Sequence, residues 1–313
     1  MDSRGAAYLS LSALTIGGFG VVAGLLSAGG VSAFTQTFWR FLITAAVFIT
    51  VSIALFGRET IPGKRELVVV VVAGGLMMAA SVTYIGAIAV GLPVPIVSFL
   101  SQLSTVITVL FAAPLLHEAL TRAKVLVISL GTAGVFLISH PWSAVGGNLP
   151  GELLVLLNAV VFAFITIFSS EYIRHRGYKP QLYSTWMFTG AALWSLPFLA
   201  FNAVQPFTAP TVDMPALIGT MVLMTFVPYS LMNLGLKTVG AGPASVLFLI
   251  SPIASLVLSY LVLGEEIGVL SGIGSGLIVL SVIVLAISED QATGGRLRAW
   301  AARGNAQTNT KGS

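Results

Sequence analysis

The stretch PLLHEALTRAK, Pro114–Lys124, closes a long apolar run, and LVLGEEIGVLSG, Leu261–Gly272, closes another. Each sets a glutamate where the oil ends, Glu118 in the first and Glu265 in the second. Arg122 and Lys124 follow the first glutamate at once, whereas no Lys or Arg follows the second until Arg296. If both runs cross a bilayer, the difference has a physical reason. Bases are kept on the cytoplasmic side and avoided in segments that must be translocated. The two stretches then end on opposite faces of the membrane.

Composition supports the bilayer. The 313 residues are 56% hydrophobic and only 8% charged, against about 25% charged in a soluble domain, which must solvate its surface. There is no cysteine, so disulfides, thiol redox centres and cysteine metal sites are excluded. His117, His140 and His175 are scattered and match no metal-ligand spacing, so neither metal nor cofactor is expected. The chain has no HExxH, no GxxxxGK[ST] phosphate loop and no GxSxG elbow, so enzyme chemistry and ATP drive by such a loop are not expected.

A spanning helix needs about 20 mostly apolar residues. Ten such runs are expected, near 7–28, 33–56, 67–88, 93–115, 123–140, 152–173, 181–201, 215–236, 243–263 and 268–287. They lack the two-residue alternation of barrel strands. The first, after Arg4, reads either as a retained helix or as a signal peptide cut after Val31–Ala33. Its apolar run exceeds the usual 7–15 residues of a signal core, which favours the helix.

The even-numbered connections and the two ends hold fourteen of the fifteen bases, the odd-numbered connections none, and Arg40 alone lies inside a span. This places both termini in the cytoplasm of a multi-pass inner-membrane protein. It also accounts for the net charge of +4 without nucleic acid.

A shift of 147 residues lays Trp39 on Trp186, Phe41 on Phe188, Ser98 on Ser245, Ser104 on Ser251 and Glu118 on Glu265, with span boundaries coinciding. The chain thus reads as an all-α polytopic membrane protein whose ten transmembrane helices form two five-helix repeats, 1–147 and 148–288. A polar tail, 289–313, follows them. The tail reads as solvated, with an interfacial segment through Arg296, Arg298, Trp300 and Arg303 as the alternative. Five is odd, so the second repeat is inverted, as in many secondary transporters.

Three segments resemble the EamA-type drug/metabolite transporters: FWRFLITA with Arg40; AIAVGLPVPIVSFLSQLSTVITVLFAAPLLHEALT, ending in Glu118; and GLKTVGAGPASVLFLISPIASLVLSYLVLGEEI, with Pro252. The resemblance covers nearly all of residues 5–288. It implies a basket of helices around a central cavity, with helices five and ten peripheral and export of amino acids or other metabolites. Span four departs from the pattern, since Thr105 stands where span nine has Pro252. A break in span four is therefore not assured.

Polar side chains in hydrocarbon usually face the bundle interior. Candidates for a substrate cavity are Gln36, Arg40, Tyr84, Gln102, Asn158, Tyr229, Asn233, Phe248 and Ser251. Arg40 suits a substrate carboxylate, which a guanidinium grips bidentately. The alternatives are snorkelling to the outer headgroups or a tie to backbone carbonyls. Gln102, Asn158 and Asn233 read equally well as interhelical glue. Tyr84, Trp186 and Phe248 form either an apolar wall for a ring-bearing substrate or packing and belt residues.

Glu118, Glu171 and Glu265 are candidates for gating or coupling, with interfacial solvation, or for Glu171 an ion pair to Arg174 or Lys179, as the bland reading. Small residues in Gly272–Gly276 permit either a homodimer face or internal packing. The function expected is a secondary transporter that exports small metabolites by alternating access. A drug-efflux protein or importer on the same fold, or a non-transporting binding or assembly subunit, remains as the alternative.

Overall fold

The computed structural model describes residues 2–92, 94–116, 121–139, 148–206, 213–263, 268–270, 272–284 and 287. Among these residues there is no strand, and ten helical rods follow one another. They are α1 (Ser3–Ile16 continuing as Phe19–Ala28), α2 (Ala33–Phe56), α3 (a π turn, Val69–Ala73, running into Gly74–Ala89) and α4 (Val94–Ser101 and Leu103–Leu116). Next come α5 (Arg122–Ser139), α6 (Leu149–Ser170 with a π turn, Glu171–His175) and α7 (Pro180–Ser195 and Pro197–Ala200). The last three are α8 (Met214–Leu236), α9 (Ala241–Leu247, a tight turn, then Ser251–Leu263) and α10 (Gly272–Val284).

Seven of the rods are long and apolar enough to cross a membrane by length and composition. Of the other three, α7 is interrupted at Leu196 ahead of Pro197, and α5 and α10 border residues outside the description.

The rods end where local chemistry ends them. Asp2, Ser32, Asn148 and Asp213 each accept a hydrogen bond from a backbone N–H three residues on, capping α1, α2, α6 and α8. Gly57 stops α2 at φ +55°, a conformation only glycine adopts freely. Asn148 also donates to the Val90 carbonyl at 2.8 Å, pinning the start of α6 to the end of α3 across the repeat boundary.

Packing follows a pseudo-two-fold. The most extensive contacts join α3 to α6 and α1 to α8, which are the same pairing under exchange of the repeats. Next come α2 with α7 and, among the self-related pairs, α4 with α9. Residues matched by the 147-residue shift meet near the axis: the rings of Phe41 and Phe188 lie 6.0 Å apart, in a buried aromatic cluster with Phe48 and Tyr229.

Hydrogen bonds repeat as well. Ser12 Oγ donates to Pro228 O at 2.7 Å between α1 and α8, and Asn158 Nδ2 to Ala80 O at 2.7 Å between α6 and α3. The matched tryptophans act alike: Trp39 on α2 donates to Gln205 O after α7, and Trp186 on α7 donates to Thr60 O after α2. Gln205 is further held by Ser32 N, Gly30 O and Thr35 Oγ1, so each end of the molecule has an inter-repeat clasp.

Two helices facing the axis are discontinuous. α9 tightens at Phe248–Ile250, just ahead of Pro252, which has no N–H to continue the ladder. α4 breaks too, at Gln102, although Thr105 stands where α9 has its proline. Here the bonding shortens instead, Thr105 N–H reaching Gln102 O, while the Thr105 hydroxyl donates to Ser245 O of α9 at 3.1 Å.

Candidate functional site

The central cavity is lined by α1, α2, α3, α4, α6, α8 and α9; none of α5, α7 and α10 contributes a described residue. About 120 Å³ is open to the centres of water molecules, and one water needs about 10–15 Å³ on that measure. The space therefore has room for several waters or one small metabolite.

Arg40 lies one helical turn past the buried Gln36 on α2, and only 3% of it is exposed. It does not snorkel. Its guanidinium carbon sits 4.7 Å from the centre of the Phe19 ring and 4.3 Å from that of Phe41. The two rings supply cation–π attraction to the buried charge. Its Nε and Nη2 are buried and find no hydrogen-bond partner among the described residues, so it is not tied to backbone carbonyls through them. No described residue lining the cavity carries a carboxylate. A buried cation with open donors and no counter-charge is costly, and an anion in the cavity would relieve it.

Six other sequence candidates line the same space: Tyr84, Gln102, Asn158, Tyr229, Phe248 and Ser251. Tyr84 packs against Phe19 with ring centres 5.7 Å apart, and its hydroxyl lies 3.5 Å from Ser98 Oγ. Gln102 occupies the break in α4, and Phe248 and Ser251 flank the tight turn of α9, so both discontinuities border the cavity. Asn158 lines the wall and at the same time ties α6 to α3 through Ala80.

Two candidates do not reach the cavity. Gln36 is fully buried and donates to Ser27 Oγ and Val31 O, closing the turn between α1 and α2. Asn233 donates to Ser184 Oγ at 2.7 Å and fastens α8 to α7. Trp186 does not join Tyr84 and Phe248 in a wall either. It lies at the other end of the molecule against Tyr178, in an edge-on contact of 5.7 Å.

Glu171 pairs with Arg176 Nε at 3.0 Å and approaches His175 Nδ1 at 3.3 Å, whereas Lys179 turns to Glu59 in the α2–α3 connection. The carboxylate at Glu171 holds Arg176 above the usual guanidinium range. Tyr178 is raised first by desolvation and then by its bond to Glu66. Glu118 and Glu265 lie outside the described residues.

The hydroxyl face of α4 is not among the sequence candidates. Ser98, Ser101, Ser104, Thr105 and Thr108 all line the cavity, joined by Ser81, Thr166, Thr225 and Ser245. The signal was present, since positions 98, 101, 105 and 108 recur at the three-to-four spacing of one helix face.

A multi-pass bundle of two pseudo-symmetric halves, with broken helices around a central cavity, is the architecture of secondary transporters. The EamA-like transporter family matches residues 3–140 and again 149–287, and the chain belongs to that family. It is 25% identical over 192 residues to an "Uncharacterized transporter" of Archaeoglobus fulgidus, covering 61% of this chain and 67% of that one. It is 28% identical over 149 residues to "Uncharacterized transporter YcbK" of Bacillus subtilis, covering 46% and 47%. The chain thus spans about two thirds of the first relative and about half of the second. A solved crystal structure aligns with a TM-score of 0.74 at 20% identity, over 92% of this chain and 98% of that one, a likeness of fold.

Proposed function

We propose that this transporter exports amino acids or similar small metabolites across the inner membrane, holding their carboxylate on Arg40. The observation that carries this is Arg40: buried, lining the cavity, close to two aromatic rings, with unpaired guanidinium donors and no carboxylate among the described lining residues. A guanidinium presents its N–H groups as a planar fork for two oxygens, which suits a carboxylate. The α4 hydroxyls and Gln102 accept or donate to the remaining polar groups, and Tyr84 and Phe248 cover apolar parts. The inverted halves supply two exchangeable postures around a fixed site, with both termini cytoplasmic.

Counterflow of labelled carboxylate metabolites into liposomes tests the proposal. The purified chain is expected to accumulate label against a preloaded metabolite of this class. Arg40→Gln is expected to lower that flux by 100-fold or more, as losing a charged partner costs about 3 kcal/mol. Arg40→Lys keeps the charge but loses the fork, and should recover only part of it. Undiminished flux in Arg40→Gln would remove the proposed role of Arg40, and a preference for cationic or uncharged solutes would remove the substrate class.

A further inference from the structure

A second hollow lies far from the transport cavity, where the base-rich end of α2 meets α3 and α7. About 530 Å³ is open to the centres of water molecules. Its walls are apolar, formed by Ile49 and Ile53 of α2, Val70 of α3 and the buried ring of Trp186. Ile53, within the candidate span of α2, is 56% exposed, so the hollow opens to the outside of the bundle.

Its mouth is chemically different. Arg58 stands there immediately after Gly57 and has no ion-pair partner among the described residues. The nearby carboxylates are engaged elsewhere, Glu59 by Lys179 and Glu66 by the Tyr178 hydroxyl. Thr60 also lines the hollow. It is 8% exposed, and its buried Oγ1 has no hydrogen-bond partner among the described residues.

We infer that this hollow is a binding site for an anionic phospholipid of the leaflet at the base-rich end. One acyl chain lies along Ile49, Ile53 and Val70, and the headgroup phosphate meets Arg58. The two observations point independently to one ligand. An apolar slot takes a chain, and a guanidinium with no ion-pair partner among the described residues, at its mouth, takes a phosphate. The Thr60 carbonyl also receives the Trp186 N–H, so the bound lipid would rest on the inter-repeat clasp at that end.

Trp186 makes the site readable. The full-length chain would be reconstituted with phospholipids brominated on the acyl chain, which quench a tryptophan they touch. Subtracting the signal of Trp186→Phe isolates Trp186 from the other tryptophans. The proposal predicts that brominated phosphatidylglycerol quenches Trp186 at about fivefold lower mole fraction than brominated phosphatidylcholine, the preference that about one basic contact near the surface confers. Arg58→Gln is expected to abolish the preference, and Arg58→Lys to keep most of it. Equal quenching by the two headgroups in the wild-type chain would show ordinary boundary lipid only and overturn the assignment, whether or not the variants fold. A preference that survives in folded Arg58→Gln would also overturn it.

Discussion

Asp2 accepts from the hydroxyl of Thr238 at 2.8 Å and from Gly5 N–H at 3.1 Å, so one carboxylate both caps α1 and ties it to the α8–α9 connection. These bonds, the one from Thr238 foremost, favour the charged form and hold its pKa below the ordinary 3.8. With the folded value depressed, the contribution is fully present above the unfolded value and is lost as pH falls through the folded one. Asp2→Ala is therefore expected to speed amide hydrogen exchange in the first turn of α1 at neutral pH. The difference from the wild-type chain should shrink as pH drops below 3.8.

Other single residues show what residue type alone conveys. Gln36, Arg40, Asn158 and Asn233 all read as inward-facing, and all are buried. Which neighbour each one meets was not legible, because in hydrocarbon a polar side chain satisfied by another helix and one aimed into a cavity obey the same rule. Only their partners separate Gln36 and Asn233, which are bonded between helices, from Arg40, which has open donors.

At the scale of elements, α2 was read at 33–56 and runs Ala33–Phe56, because Ser32 caps it and Gly57 turns out of it. Such signals are local and lie in the chain itself. The break in α4 is harder to read, since it coincides with the Thr105 bond to the Ser245 carbonyl across the axis and has no proline to mark it. The closeness of α3 and α7 is likewise a matter of two segments meeting. A Cβ on Gly190 would run into the Val70 carbonyl, and one on Gly74 would lie 2.5 Å from the Gly190 Cα. Both obstacles are backbone atoms, which cannot rotate away. Gly190→Ala is expected to destabilise the fold by roughly 1–3 kcal/mol through overpacking, read as a lower melting temperature in detergent. Gly219→Ala, where nothing lies within 4 Å of the added carbon, should leave it within about 0.5 kcal/mol of wild type.

For the whole molecule, the pseudo-two-fold joins the α2–α3 and α7–α8 connections as equivalent parts, each clasped by the other repeat's matched tryptophan. A two-fold lying in the membrane plane exchanges the two faces, so these equivalent connections must open to opposite compartments. The bases agree: Arg58, Lys64 and Arg65 lie in the first connection, and no Lys or Arg lies between Lys179 and Lys237. The chain has no cysteine, so a single introduced thiol reports its own location without background. Lys64 is exposed in the first connection and Phe201 is 81% exposed at the start of the second. In intact cells, Phe201→Cys is expected to react with a membrane-impermeant maleimide. Lys64→Cys should stay unmodified until the membrane is opened, and inside-out vesicles should reverse the two. Modification of both from the same side would mean that the repeats are parallel, and the alternating-access reading would lose its structural basis.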